Sequence, residues 1–172
     1  MTVLSNIDIK QYLKKGIIKI KPLKEEQIGP ASVDLTLSNE WYFFKEEYIG
    51  KTIDLSKKSY KELIKGVKAD NIILRPGEMC MGKTLEKITI PNNIIGMLEG
   101  RSRYARIGLT AHVTASLVQP GCDNHQVLEI VNLSPFTVVL HKGMRISQIS
   151  FDLMESATDK PYKKYGKIAR NQ

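Results

Sequence analysis

Cysteine is scarce in this chain. Cys80 and Cys122 stand far apart with no CxxC partner. They make no zinc site by themselves and no disulfide framework, so two reduced thiols are expected. Histidine is as sparse: His112, His125 and His141 form no HxH or HxxxH pair. The HxE and PCxxC signature of zinc nucleobase deaminases is missing. So are the GxxxxGK phosphate loop and the GxSxG elbow, which argues against a P-loop NTPase and an α/β-hydrolase. No apolar run reaches the roughly 18 residues of a membrane span. The start, "MTVLSNIDIKQYLKKG", has neither the apolar stretch nor the cleavage site of a secretion signal, which predicts a cytoplasmic protein. With one tryptophan, no RNP-like aromatic stripe and no zinc-finger spacing, nucleic acid is not the expected partner.

What remains is an ordinary globular composition: 172 residues, 42% hydrophobic and 26% charged. That predicts one domain over residues 1–172 with a real core. The net charge of +8 calls for an anionic partner. The lysine runs "KKSYKELIKGVK" and "KPYKKYGK" read as solvated faces, and residues 156–172 as a basic mobile tail. Residues 5–15 predict a short helix capped by Ser5 or Asn6 and ended by Gly16. "SVDLTL" alternates with the period of a half-buried strand, and "EWYFF" reads as a second strand. Residues 56–67 predict a helical or irregular insertion. From residue 71 short strands separated by "RPGE" and "PNN" follow one another, which predicts a mainly β barrel or sandwich with accessory helices.

Two features carry chemistry. "EGRSRYARIGL", residues 99–109, crowds Arg101, Arg103 and Arg106 together with Ser102. Either an anion sits among them, gripped by guanidinium groups and the free N–H groups of a helix start, or they form surface salt bridges with Glu99 and others. The second feature is Glu129 in "HQVLEIVNLS", whose neighbours Val127, Leu128, Ile130 and Val131 are apolar. Either it is desolvated, with a raised pKa suited to proton transfer, or it points outward from an edge strand.

"GPASVDLTL", "EGRSRYARIGL", "HVTASLVQPG", "QVLEIVN" and "GMRISQISF" occur in that order. Together they resemble the dCTP deaminase family, within the deoxyuridine triphosphatase-like superfamily, over residues 20–155. The resemblance implies a distorted β-barrel of the deoxyuridine triphosphatase-like type, assembled as a homotrimer with sites between subunits. It implies deamination of dCTP to dUTP and ammonia without zinc. By position Glu129 would activate the water, and Ser102 would hold that water or the developing oxyanion. Arg106 would stabilise charge at the reacting centre, and the backbone of Ala115 would complete the catalytic set. Arg101, Arg103, Thr114, Gln119, Gln148, Tyr162 and Lys164 would bind substrate, and Mg²⁺ would arrive with the triphosphate.

The chain departs from the family pattern at Leu117, Gln119 and Cys122, at Arg103 in place of a small serine, and at Ile168 where a lid glutamine is usual. Gln119 replaces an aspartate; an amide accepts and donates hydrogen bonds but is no base. Two further readings follow: a bifunctional deaminase and pyrophosphatase, and a nucleotide-binding regulatory protein with little catalysis.

Overall fold

The computed structural model describes residues 2–166. Ser5 caps the first helix, α1 (Asn6–Lys14), through a reciprocal box in which Asp8 bonds back to the Ser5 backbone. Before it, β1 (Thr2–Val3) pairs with the last strand. After it come β2 (Lys19–Lys21) and a 3₁₀ turn over Glu25–Gln27. The long strand β3 (Val33–Phe44) follows. The sequence predicts two strands here, and the structure makes one. The polar stretch Ser38–Glu40 does not break the strand, because a register shift against β6 between Leu37 and Trp41 absorbs it.

The insertion is mostly irregular. It holds a 3₁₀ turn over Glu46–Tyr48 and one helical turn, α2 (Tyr60–Leu63), closed by a Ser59–Glu62 box. The end of the segment expected to be helical or irregular then becomes β4 (Ile64–Lys68), which pairs with the end of β3. The remaining strands are β5 (Asn71–Leu74), β6 (Met79–Thr89), β7 (Ile94–Gly100), β8 (Leu109–Thr110), β9 (Leu117–Val118), β10 (Asp123–Asn132), β11 (Val138–His141) and β12 (Arg145–Leu153). One helical turn, α3 (Ser102–Ala105), separates β7 from β8, and α4 (Tyr162–Tyr165) ends the described chain.

All strand pairs are antiparallel. Among the described residues the main sheet has ten strands in the order β8-β10-β6-β3-β12-β7-β9, with β1, β2 and β4 on its flanks; β5 and β11 form a separate ribbon. The sheet curls round a core of Leu35, Leu37, Trp41, Ile88, Leu128, Ile130 and Phe151, each almost wholly buried. Trp41 satisfies its indole N–H on Ala69 O at 2.9 Å, so its ring is buried at little polar cost. The fold is therefore mainly β, a distorted barrel with short accessory helices.

As far as it is described, the C-terminal segment is tied to the barrel by backbone bonds. The Tyr162 N–H donates to Pro120 O at 2.9 Å and the Lys163 N–H to Gly121 O at 3.1 Å. Gly121 has φ +74°, and a Cβ there would lie 2.6 Å from Pro161, so only glycine allows this approach. Residues 161–166 thus pack on the turn that opens β10. Residues 167–172, including Ile168, lie outside the described residues.

Candidate active site

The period of two in β10 decides where Glu129 points. Leu128 and Ile130 face the core, so Glu129 shares the opposite face with Val127 and Val131. Its side chain is 23% exposed, which corrects the picture of a carboxylate buried among its sequence neighbours. What confines it is the loop between β8 and β9. Glu129 Oε2 accepts from the Val113 N–H at 3.1 Å and the Thr114 N–H at 3.2 Å. The His112 Nδ1 lies 3.9 Å from the same oxygen. Among the described residues Oε1 has no hydrogen-bond partner, so one oxygen is fixed and the other is available to a water or a base. Thr114 and Ala115 are exposed on this loop, next to the carboxylate.

The arginine cluster divides into two parts. Arg101, the residue before α3, is held in place by internal partners: its Nη2 lies 3.0 Å from Asp34 Oδ2, and its Nη1 donates to Arg145 O at 2.8 Å. Arg145 joins the same carboxylate at 3.6 Å. Burial pushes the Asp34 carboxyl above the usual range, against the pull of Arg101 and Arg145. Ser102, Arg103 and Arg106 are exposed. Arg103 stacks over its neighbour Tyr104 at 5.5 Å, and among the described residues neither Arg103 nor Arg106 has a salt bridge. With only four residues, α3 is too short to add a helix dipole of weight; the positive charge comes from the side chains.

The structure does not join these two halves within one chain. Gly108, at φ +80°, turns the chain from α3 into β8, which pairs with Val131 and Asn132 of β10. The arginine helix thus sits beyond the end of β10. No hydrogen bond or ion pair among the described residues links Glu129 to Ser102, Arg103 or Arg106.

The other candidates are scattered around this frame. Gln148 is held by Ser32, whose Oγ donates to Oε1 at 2.9 Å, and its Nε2 donates to Gly100 O at 3.3 Å beside the arginine turn. Gln119 and Leu117 are exposed on the segment leading to β10. Cys122 is 2% exposed and donates to Asn124 Oδ1 at 2.6 Å; burial pushes its thiol up. Tyr162 packs against the core, where burial pushes its phenol up, and Lys164 lies on the exposed side of α4. Among the described residues no group of three or more His, Cys, Asp or Glu could hold a metal ion. Nor is any helix of the described residues long and apolar enough to cross a membrane.

Sequence reasoning missed Asp34 and Asp123. Asp123 clamps the C-terminal segment: Lys163 Nζ lies 2.7 Å from Oδ2, Lys87 Nζ 3.1 Å from Oδ1, and Thr89 Oγ1 donates to Oδ1 at 2.8 Å. The Lys163 ammonium, opposed by burial and helped by Thr89 and Lys87, holds this carboxyl well below the usual range. A depressed carboxylate stabilises the fold above its unfolded pKa of about 3.9 and loses that contribution as pH falls through the folded value. Asp123→Asn keeps an acceptor for Thr89 but removes the charge. Because Lys163 is largely exposed, the expected loss at neutral pH is only about 0.5–1 kcal/mol. Thermal melts should show the gap to wild type closing as pH drops below about 4; a gap independent of pH would rule out the charge as its source.

The chain is similar to known proteins in sequence and in fold. The dCTP deaminase-like family profile matches residues 3–154. A protein of Methanosphaera stadtmanae named "dCTP deaminase, dUMP-forming" is 39% identical over 166 residues, covering 94% of this chain and 84% of its own. One of the same name from Dictyoglomus thermophilum is 40% identical over 176 residues, covering 99% and 90%. Among solved structures, the 2'-deoxycytidine 5'-triphosphate deaminase of Agrobacterium tumefaciens superposes with TM-score 0.68 at 21% identity over 88% of this chain. This chain spans about half of that one, 48%, and the likeness shows the fold. With a family profile over most of its length and relatives alike nearly end to end, this chain belongs to the dCTP deaminase-like family.

Proposed function

We propose that this protein deaminates dCTP, replacing the C4 amino group of cytosine by oxygen without zinc. The observation that carries the reading is Glu129, held on one oxygen by two backbone N–H groups, with no partner for the other oxygen among the described residues. In the proposed reaction Glu129 takes a proton from a water as that water adds to C4. Ser102 holds the water or the oxyanion, Arg106 stabilises the developing charge, and the Ala115 backbone binds close by. Glu129 then returns the proton to the amino group, the C–N bond breaks, and ammonia leaves. Atoms balance as dCTP plus water giving dUTP plus ammonia. Arg101, Arg103, Thr114, Gln119, Gln148, Tyr162 and Lys164 are the proposed contacts to the rest of the nucleotide, with Mg²⁺ carried in by the triphosphate.

The same reading makes the protein a homotrimer whose sites lie between subunits. Two observations support it. The arginine helix and Glu129 do not meet within one chain. The sheet face around Glu129 is also half-exposed and carries apolar side chains, with Met81 paired to Glu129, Tyr42 paired to Met81, and Val127 alongside, opposite Lys83. A neighbouring subunit that covers this face could bring its own Ser102 and Arg106 to Glu129.

A second reading adds hydrolysis of the triphosphate, so that dCTP and two waters give dUMP, pyrophosphate and ammonia. The names of the two relatives at 39% and 40% identity favour it. Gln119, an amide where a carboxylate would orient the second water, counts against it. Incubating purified protein with dCTP and Mg²⁺, then separating the nucleotides, decides between them. A dUTP peak supports deamination alone and a dUMP peak supports both steps. If dCTP binds without any product, the protein is a nucleotide-binding regulator.

A further inference from the structure

Glu86 is a carboxylate that the proposed reaction does not use, yet it is 1% exposed in the barrel wall. Burying such a group is costly, so its partners should explain it. Between β3 and β6 the ladder runs only from Leu37 toward the C-terminal end of β3. Just before Leu37, the Thr36 N–H donates not to β6 backbone but to Glu86 Oε2 at 2.8 Å. The other oxygen, Oε1, accepts from Gln27 Nε2 at 2.8 Å.

Gln27 passes this constraint on. Its Oε1 accepts the Lys24 N–H at 2.9 Å, which fixes the orientation of the amide. Its Nε2 also donates to Asp34 O at 2.9 Å. Asp34 is therefore tied by its backbone to Gln27, while its own carboxylate holds Arg101 at 3.0 Å and Arg145 at 3.6 Å. Arg145 closes the circuit by donating from Nη1 to Glu26 O at 2.7 Å, in the same 3₁₀ turn as Gln27. The links from Glu86 through Gln27 and Asp34 to Arg101 are 2.8–3.0 Å long, the Arg145–Asp34 contact is looser at 3.6 Å, and the circuit ends on the residue before α3.

We infer that Glu86, Gln27 and Asp34 form a positioning relay that fixes the Arg101 guanidinium, and with it the start of the Ser102–Ala105 turn, for a nucleotide triphosphate. This rests on the proposed reading of Arg101 as a phosphate-binding residue. The relay also accounts for the residue type at position 86. Both of its oxygens face N–H donors, and Gln27 cannot flip without losing Lys24. A glutamine at 86 would set an NH₂ against a donor, breaking one of the two bonds although the shape is unchanged.

The test is a double-mutant cycle on dCTP binding by calorimetry, with turnover at saturating dCTP and melting temperature measured alongside. Asp34→Asn and Arg101→Ala are each expected to raise Kd about tenfold or more, the scale of a lost hydrogen bond to a charged group. The double variant should bind no more than about twofold more weakly than Arg101→Ala alone, because Asp34 acts through Arg101. Glu86→Gln should raise Kd in the same direction, with a smaller fall in kcat. Effects on Kd that multiply in the double variant overturn the relay, as does a fall in melting temperature with Kd unchanged. Should Glu86→Gln fail to fold, the Asp34 and Arg101 cycle decides alone. Wild-type protein that binds dCTP but releases no ammonia overturns the deaminase reading and leaves the cycle readable through Kd. Wild-type protein that does not bind dCTP overturns both.

Discussion

Glu129→Gln is expected to lower the release of ammonia from dCTP by about 10²–10⁴-fold, the range that a positioned general acid–base group supplies. The substitution is nearly isosteric. Its amide oxygen can still accept the Val113 and Thr114 N–H groups, now 3.1 and 3.2 Å from Oε2, so the loop between β8 and β9 keeps its anchor. What the amide cannot do is take a proton from water and hand it on. Folding, assembly and dCTP affinity should therefore change little while turnover collapses. Calorimetric binding beside an ammonia assay separates these effects. A variant retaining more than about a tenth of the wild-type rate would remove Glu129 from proton transfer. A variant that also stops binding dCTP would make Glu129 a structural support for the loop.

Much of this site is legible in the sequence because strands write their burial with a period of two. The alternation in "SVDLTL" and the turn signals after residue 71 give a mainly β fold, and Ser5 with Asp8 marks the first helix cap. The same period also shows where reading by neighbourhood fails. Apolar residues on both sides of Glu129 in the chain suggest a desolvated carboxylate, but Leu128 and Ile130 point away from it. Its real environment is two N–H groups from a loop some fifteen residues earlier, which no local pattern announces. Arg101 fails in the opposite sense. In the sequence it belongs to one crowd of like charges, whereas in the fold it is neutralised by Asp34, brought alongside by the β7-β12-β3 order of the sheet. The docking of the C-terminal segment on Asp123 joins residues 40 positions apart through a lysine run that reads as solvated surface. Tertiary pairings of this kind are set by the strand order and not by the chain's local chemistry.

Arg106→Ala is the complementary experiment, expected to cost about 10²–10³-fold in kcat, the effect of removing one preorganised group aimed at developing charge. Arg106 contributes its backbone N–H to Ser102 O at 3.0 Å as the residue that caps the turn, and alanine keeps that bond. Its side chain is exposed and has no salt bridge among the described residues, so truncation should shift stability by no more than about 0.5 kcal/mol. Any loss of rate then reports on the reacting nucleotide and not on the fold. Arg106→Lys sharpens the reading, because it keeps the charge but not the planar pair of donors. Recovery of most of the rate by lysine would mean that charge alone is needed. Little recovery would mean that guanidinium geometry at the reacting centre matters. Unchanged kcat and unchanged Kd in Arg106→Ala would return the exposed arginines to ordinary surface charge and leave Glu129 without its electrostatic partner.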